Sequence, residues 1–227
     1  MSEAPERSDN PDPSDQPTQT LVWDLPLRVW HWLFALCISG SLYTGLSGDI
    51  GLIERHQQLG YCMLGLLLFR IAWSLWGGRY ARLRHYGVSA RGMSAHFRGK
   101  PATGSVHTAP GAAIAVTFLL LAAVQVGTGL FATDDIFTDG PLTRYVDGAT
   151  AGNMTWIHHR VFWLIIAAAA VHLTAHVVYA ARGDATPLAM FTGRKKVDVE
   201  PAGQRLALGV VTALLAAGLV WVFLALV

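Results

Sequence analysis

The chain has 227 residues, 52% of them hydrophobic and only 14% charged, with eight Trp and a formal net charge of +2. An ordinary soluble domain is about 25% charged. Its mean hydropathy of +0.38 excludes a disordered chain and a basic domain that binds nucleic acid. Two cysteines, Cys37 and Cys62, both inside apolar stretches, supply neither a disulfide framework nor a Cys-x-x-Cys-His attachment motif.

In chain order, residues 1–20 are acidic, Pro-rich and free of apolar runs, which reads as a disordered tail and not as a signal peptide. Five apolar segments follow, at roughly 27–47, 56–77, 110–132, 157–180 and 206–227. Each reaches the ~20 residues that cross ~30 Å of hydrocarbon as a helix. Buried helices of soluble domains are seldom so long and so uncharged. The expected fold is therefore all-α, a transmembrane helix bundle with a four-helix core over 21–196 and a fifth, C-terminal transmembrane helix over 197–227. No strand is expected. Gly40, Gly45, Gly65, Gly127 and Gly129 suit close packing in lipid, and Trp23, Trp30, Trp32, Trp73, Trp76 and Trp156 mostly mark interfaces. Cys37 and Cys62 read as small packing residues. The fifth segment carries no site of its own and could pack on the bundle or on another subunit.

The connections set the orientation. Segment 78–109 carries Arg79, Arg82, Arg84, Arg91, Arg98 and Lys100 with no acid, and segment 181–205 carries Arg182, Arg194, Lys195, Lys196 and Arg205. Segment 133–156 carries Asp134, Asp135, Asp139 and Asp147 against Arg144. The basic loops and the N-terminus are expected on the cytoplasmic side, and the C-terminus outside.

Ionisable residues inside a membrane span are functional candidates by default. His31, His56, His158, His172 and His176 fall in or at the edges of the spans. His158 and His172 are 14 residues apart, about 21 Å along a helix and rotated by only about −40°, so they leave one face at two depths. His31, three residues after Arg28, matches the depth of His172; His56, just after the outer turn, matches that of His158. Neutral imidazoles on facing helices can hold a haem iron from both sides, which gives the pairs His31–His172 and His56–His158. The adjacent His159 is the alternative to His158, and the spacing favours His158. His176 forms an i, i+4 pair with His172 that could bind zinc, but it lacks the Glu a zinc protease needs and reads as a satisfied polar residue. Arg70, 14 residues from His56, either meets an anion such as a haem propionate or snorkels toward the basic loop. Arg28 and Arg160 read as boundary charges, with Arg28 retained as a cofactor-side candidate. His107, before the third span, either bonds a propionate or a quinone head group or has no role. His85 and His96 read as solvated surface.

These residues resemble the bacterial cytochrome b561 / nickel–iron hydrogenase b-type cytochrome family over about residues 22–196. The resemblance rests on Val22-Trp23-Asp24-Leu25-Pro26, Arg28-Val29-Trp30-His31-Trp32, His56-Gln57-Gln58-Leu59-Gly60-Tyr61 and Leu68-Phe69-Arg70. It continues through Arg79-Tyr80-Ala81-Arg82, Ala132-Thr133-Asp134-Asp135, Gly140-Pro141-Leu142, His158 with His172, and Met190-Phe191-Thr192-Gly193-Arg194-Lys195. The chain departs from the family at Val106-His107-Thr108-Ala109-Pro110, where Gly-His-Asn-Pro is usual, and at His159, where an acid is usual. The resemblance implies a four-helix core with two b haems in the bacterial inner membrane. It implies electron transfer between the quinone pool and a partner, either a periplasmic c-type cytochrome or a dehydrogenase or hydrogenase subunit. A homodimer is compatible with this, and nucleic acid is not a partner. The readings that remain beside it are a haem-free membrane anchor or His-relay transporter subunit, and a ferric or superoxide reductase that works without a protein partner.

Overall fold

The computed structural model describes residues 19–99 and 106–227, so the tail expected over 1–20 lies outside the described residues as far as residue 18. The elements in chain order are β1 (Gln19–Leu21), α1 (Leu25–Leu46), α2 (Ile53–Trp76), α3 (Ala90–Phe97) and α4 (Ala109–Gly129). Then come α5 (Gly148–Ala181), α6 (Ala189–Thr192), β2 (Arg194–Lys196) and α7 (Leu206–Leu226). Five helices, α1, α2, α4, α5 and α7, are long and apolar enough to cross a membrane, as the hydropathy pattern predicts.

Local chemistry fixes where the spans begin. Asp24 caps α1, its Oδ1 accepting from the Leu27 N–H at 2.9 Å, and Pro26 occupies the first turn, where a missing N–H costs nothing. Thr108 and Pro110 start α4 in the same way. Asp147 accepts from the Thr150 N–H at 2.7 Å and starts α5 at Gly148, well before the expected residue 157. The additional turns carry polar residues that hydropathy passes over. Thr155 among them accepts from Thr133 N at 3.0 Å and donates to Thr133 O at 3.1 Å, so the early turns of α5 hold the acidic loop.

The main packing pairs are α1 with α2 and α4 with α5, and α2 also meets α4 and α7. Trp30, Phe34, Met63, Leu67, Phe69, Trp73, Ala122 and Val126 form the shared core. Three tryptophans expected at an interface, Trp23, Trp30 and Trp73, are thus inside. Trp73 donates to Asp24 Oδ1 at 3.1 Å, and Trp30 donates to the Leu66 carbonyl at 2.8 Å, so each of these two rings is buried with its N–H satisfied. Trp32, Trp76 and Trp156 are exposed as expected. Cys37 is half-buried and Cys62 exposed.

The open question about the fifth span is resolved by its small residues. Gly209, Thr212, Ala216 and Val220 form its buried face. Gly209 lies so close to α1 that a Cβ there would sit 2.6 Å from Pro26 Cγ. Trp76 Nε1 donates to Thr212 Oγ1 at 3.0 Å. The helix therefore packs on this chain's own bundle.

The absence of strands is not borne out. β1 and β2 pair antiparallel, Gln19 opposite Lys196 and Leu21 opposite Arg194, and Ala202 N donates to Leu21 O at 2.8 Å. This ribbon joins the chain before α1 to the chain after α5 at the basic-loop end. There Tyr80 Oη also bonds the Glu200 carbonyl at 2.7 Å and Arg79 pairs with Glu200.

Candidate functional site

The histidines gather at the two ends of the bundle. At the acidic-loop end, His56 on α2 faces His158 on α5, with ring centres 6.1 Å apart and ring planes at 83°. Each ring is held through Nδ1. His56 Nδ1 lies 3.1 Å from the Ser41 carbonyl oxygen and 3.1 Å from Thr44 Oγ1. His158 Nδ1 lies 2.9 Å from the Gln125 carbonyl oxygen and 3.3 Å from Thr128 Oγ1. The rings border a cavity of about 500 Å³ among α1, α2, α4 and α5, lined otherwise by groups such as Ile38, Met63, Val126 and Phe162 and reached by the acidic loop at Asp134 and Pro141. This lies within the ~300–1,000 Å³ of cofactor-sized pockets. His159 is exposed, with its ring 6.3 Å from that of His158.

At the basic-loop end, His31 on α1 lies in the electrostatic field of both His172 and His176 on α5. The His172 and His176 rings are 4.5 Å apart at 83°, and Phe118 approaches His172 at 5.8 Å. His31 Nδ1 and His176 Nδ1 are buried with no hydrogen-bond partner. His176 is therefore part of this cluster and not the satisfied polar residue expected. Among the described residues no group of three or more His, Cys, Asp or Glu is arranged to hold a bare metal ion.

Arg70 does not snorkel. It is 1% exposed, because α2 carries it into the core between Trp30 and Tyr86, each ring centre 5.5 Å from its guanidinium carbon. Its Nη2 donates to Tyr86 Oη, and its Nη1 is buried with no partner. Asp24 lies in its field. Burial raises the Asp24 pKa, and the Leu27 N–H, Trp73 and Arg70 work against that rise. His107 stacks on Tyr86 with ring centres 4.5 Å apart and meets Trp23 edge-on at 4.7 Å. Burial pushes its pKa down to about 4, with the Lys195 and Arg70 charges adding to the effect. Lys195 donates to the Val106 carbonyl at 3.1 Å, and burial lowers its pKa too. Arg28 donates to the Phe191 carbonyl, which ties α1 to the short α6, and its buried Nε has no partner. His85 and His96 are not plain solvated surface: both are half-buried, His85 against Tyr80 at 6.0 Å and His96 with Nε2 3.4 Å from Tyr179 Oη.

The residues that sequence reasoning missed are those behind the rings. Neither hydropathy nor histidine spacing points to Thr44 and Thr128, and in sequence Gly45 and Gly129 show only small residues suited to close packing. A Cβ on Gly45 would lie 3.0 Å from His56 Cε1, and one on Gly129 would lie 2.9 Å from His158 Cε1. The available signal is that two of the four Thr-Gly dipeptides, 44–45 and 128–129, fall inside apolar segments.

Comparison with known proteins gives one family. The model of the prokaryotic cytochrome b561 family matches residues 22–193. The "Probable Ni/Fe-hydrogenase 1 B-type cytochrome subunit" of Escherichia coli (strain K12) is 33% identical over 85 residues, covering 30% of this chain and 36% of that protein. The protein of the same name from Escherichia coli O157:H7 matches to the same extent. The chain thus spans about a third of the length of these relatives. No solved structure matches it significantly. A b-type cytochrome carries haem b and moves electrons, and here the family match coincides with five membrane-length helices. With most of its helical core covered by the family match, the chain belongs to the prokaryotic cytochrome b561 family of membrane b-type cytochromes.

Proposed function

We propose that the chain is a dihaem cytochrome b that carries electrons across the inner membrane between the quinone pool and a redox partner protein. His56 and His158 hold one haem iron, and His31 and His172 hold the other. The observation that carries the reading is the facing His56–His158 pair. Their ring centres are 6.1 Å apart, a separation at which both imidazoles would be able to reach one iron held between them. Both rings border a largely apolar cavity of cofactor size. Haem b supplies the one-electron step by cycling between ferric and ferrous iron.

The chain's own residues do the rest. The unpartnered Nη1 of Arg70 and Nε of Arg28 offer donors to carboxylates at the basic-loop end. His107, held neutral by burial, offers a hydrogen bond to a propionate or a quinone head group there. The hydrogenase named for the Escherichia coli relatives supports a hydrogenase or dehydrogenase subunit as the partner, with a periplasmic c-type cytochrome as the other choice.

The test is a dithionite-reduced minus oxidised spectrum of the purified chain with a pyridine haemochrome count. Two b haems per chain are expected, with one lost in His158→Ala and the other in His172→Ala. Folded protein without haem overturns the reading, and two haems retained in His172→Ala overturn that pairing and move the ligand to His176.

A further inference from the structure

The two rings at the acidic-loop end are gripped by the same device on two different helices. On α1 the grip is made by Ser41, Thr44 and Gly45, and on α4 by Gln125, Thr128 and Gly129, with identical offsets of three and four residues. In each, the first residue turns its carbonyl oxygen to the imidazole Nδ1, at 3.1 Å for His56 and 2.9 Å for His158. The threonine turns its hydroxyl oxygen to the same nitrogen, at 3.1 Å and 3.3 Å. The glycine leaves the ring its space.

The proton positions follow from the hydroxyls. Thr44 Oγ1 donates to the Gly40 carbonyl at 2.9 Å, and Thr128 Oγ1 donates to the Val124 carbonyl at 2.7 Å, the usual bond of a helical threonine to the preceding turn. A hydroxyl has one proton, so toward the imidazole each threonine offers a lone pair. Both neighbours of each Nδ1 are then acceptors, and each Nδ1 must carry the proton. Nε2 keeps its lone pair and is the atom left to bind a metal.

We propose that these two cradles are positioning elements for the haem at the acidic-loop end. They fix the tautomer and the plane of His56 and His158, and they hold that haem at a lower midpoint potential than it has without them. The inference rests on the ligand reading above. A hydrogen bond from Nδ1–H raises the basicity of the ligating nitrogen, and a more basic ligand favours the more positive, ferric iron. At the other end His31 Nδ1 is buried without such a grip, and the two threonines bond only the His56 and His158 rings, so the expected effect falls on one haem.

The experiment is an optical redox titration of the full chain, unaltered and as Thr44→Val, Thr128→Val, Thr44→Ser and Thr128→Ser. Valine keeps the shape and removes the acceptor, whereas serine restores it. The expected result is two haems per chain in all five proteins. The midpoint of a single haem moves upward in both valine variants, that haem is the one absent from His158→Ala, and the serine variants return it toward the unaltered value. Unmoved midpoints in valine variants that keep both haems overturn this inference and leave the ligand reading standing. Retention of two haems in His158→Ala overturns the ligand reading itself. Should the valine variants fail to assemble, proton NMR of the unaltered protein decides. Two ligand Nδ1–H resonances protected from solvent exchange are expected at the acidic-loop haem, and rapid exchange of both overturns the proposal.

Discussion

Asp24 joins three parts of the chain that are far apart in sequence. It caps α1, accepts the Trp73 indole N–H from the end of α2 and lies in the field of Arg70. Asp24→Ala removes an N-cap worth ~1 kcal/mol and leaves a buried indole N–H without its acceptor, another ~1–3 kcal/mol. A loss of about 2–4 kcal/mol is expected in equilibrium unfolding in mixed detergent, whereas Asp24→Asn, which keeps the acceptor oxygen, should recover more than half of it. A loss below about 1 kcal/mol in the alanine variant shows that the cap is dispensable. His107 gives a prediction on pH. Its folded pKa is lowered to about 4, mainly by burial, from an ordinary value of 6.5. In that window the unfolded chain binds the extra proton, so stability rises with pH. The contribution is complete above pH 6.5 and is lost progressively toward pH 4. Between those values, melting temperatures of the unaltered protein should fall more steeply with acid than those of His107→Gln. Parallel curves for the two proteins rule out titration of His107 on folding.

At the scale of elements, hydropathy alone marks all five spans, because lipid leaves each one nothing to bury but apolar side chains. It marks their bounds poorly where a cap or a polar turn intervenes, and α5 begins at Gly148 because Asp147 caps it. The spacing of His158 and His172 makes both ends of the site legible, since helical periodicity is a local property. The Thr44–His56 and Thr128–His158 bonds, the Trp73–Asp24 bond across 49 residues and the β1–β2 pairing are tertiary. No periodicity reports them. Likewise the apolar run of α7 does not say which face is buried; that is set by Gly209 against Pro26 and Thr212 against Trp76. Gly209→Val places branched carbon where even a Cβ lies 2.6 Å from Pro26 Cγ, so α7 must shift. The expected outcome is a lower melting temperature with the haem count unchanged, because α7 contributes no histidine. A lost haem in Gly209→Val shows instead that α7 sets the spacing of α1 and α2 at the site.

For the whole molecule the open quantity is its direction in the membrane, and the charges decide which direction to expect. The loop from 78 to 99 carries five Arg and no acid, while Asp134, Asp135, Asp139 and Asp147 crowd the opposite end beside the His56–His158 cavity. Lys and Arg in short loops are retained on the cytoplasmic side, so the acidic loop and that cavity should face the periplasm and Arg70, His107 and Lys195 the cytoplasm. Single-cysteine labelling tests this in a Cys37→Ala, Cys62→Ala background. Ile136→Cys, at a position 76% exposed at the tip of the acidic loop, should react with a membrane-impermeant maleimide in intact spheroplasts. Arg84→Cys, exposed on the basic loop, should react only after the membrane is permeabilised. The reverse pattern inverts the molecule, places the His56–His158 cavity against the cytoplasm and moves any periplasmic partner to the face built by the β1–β2 ribbon and α3.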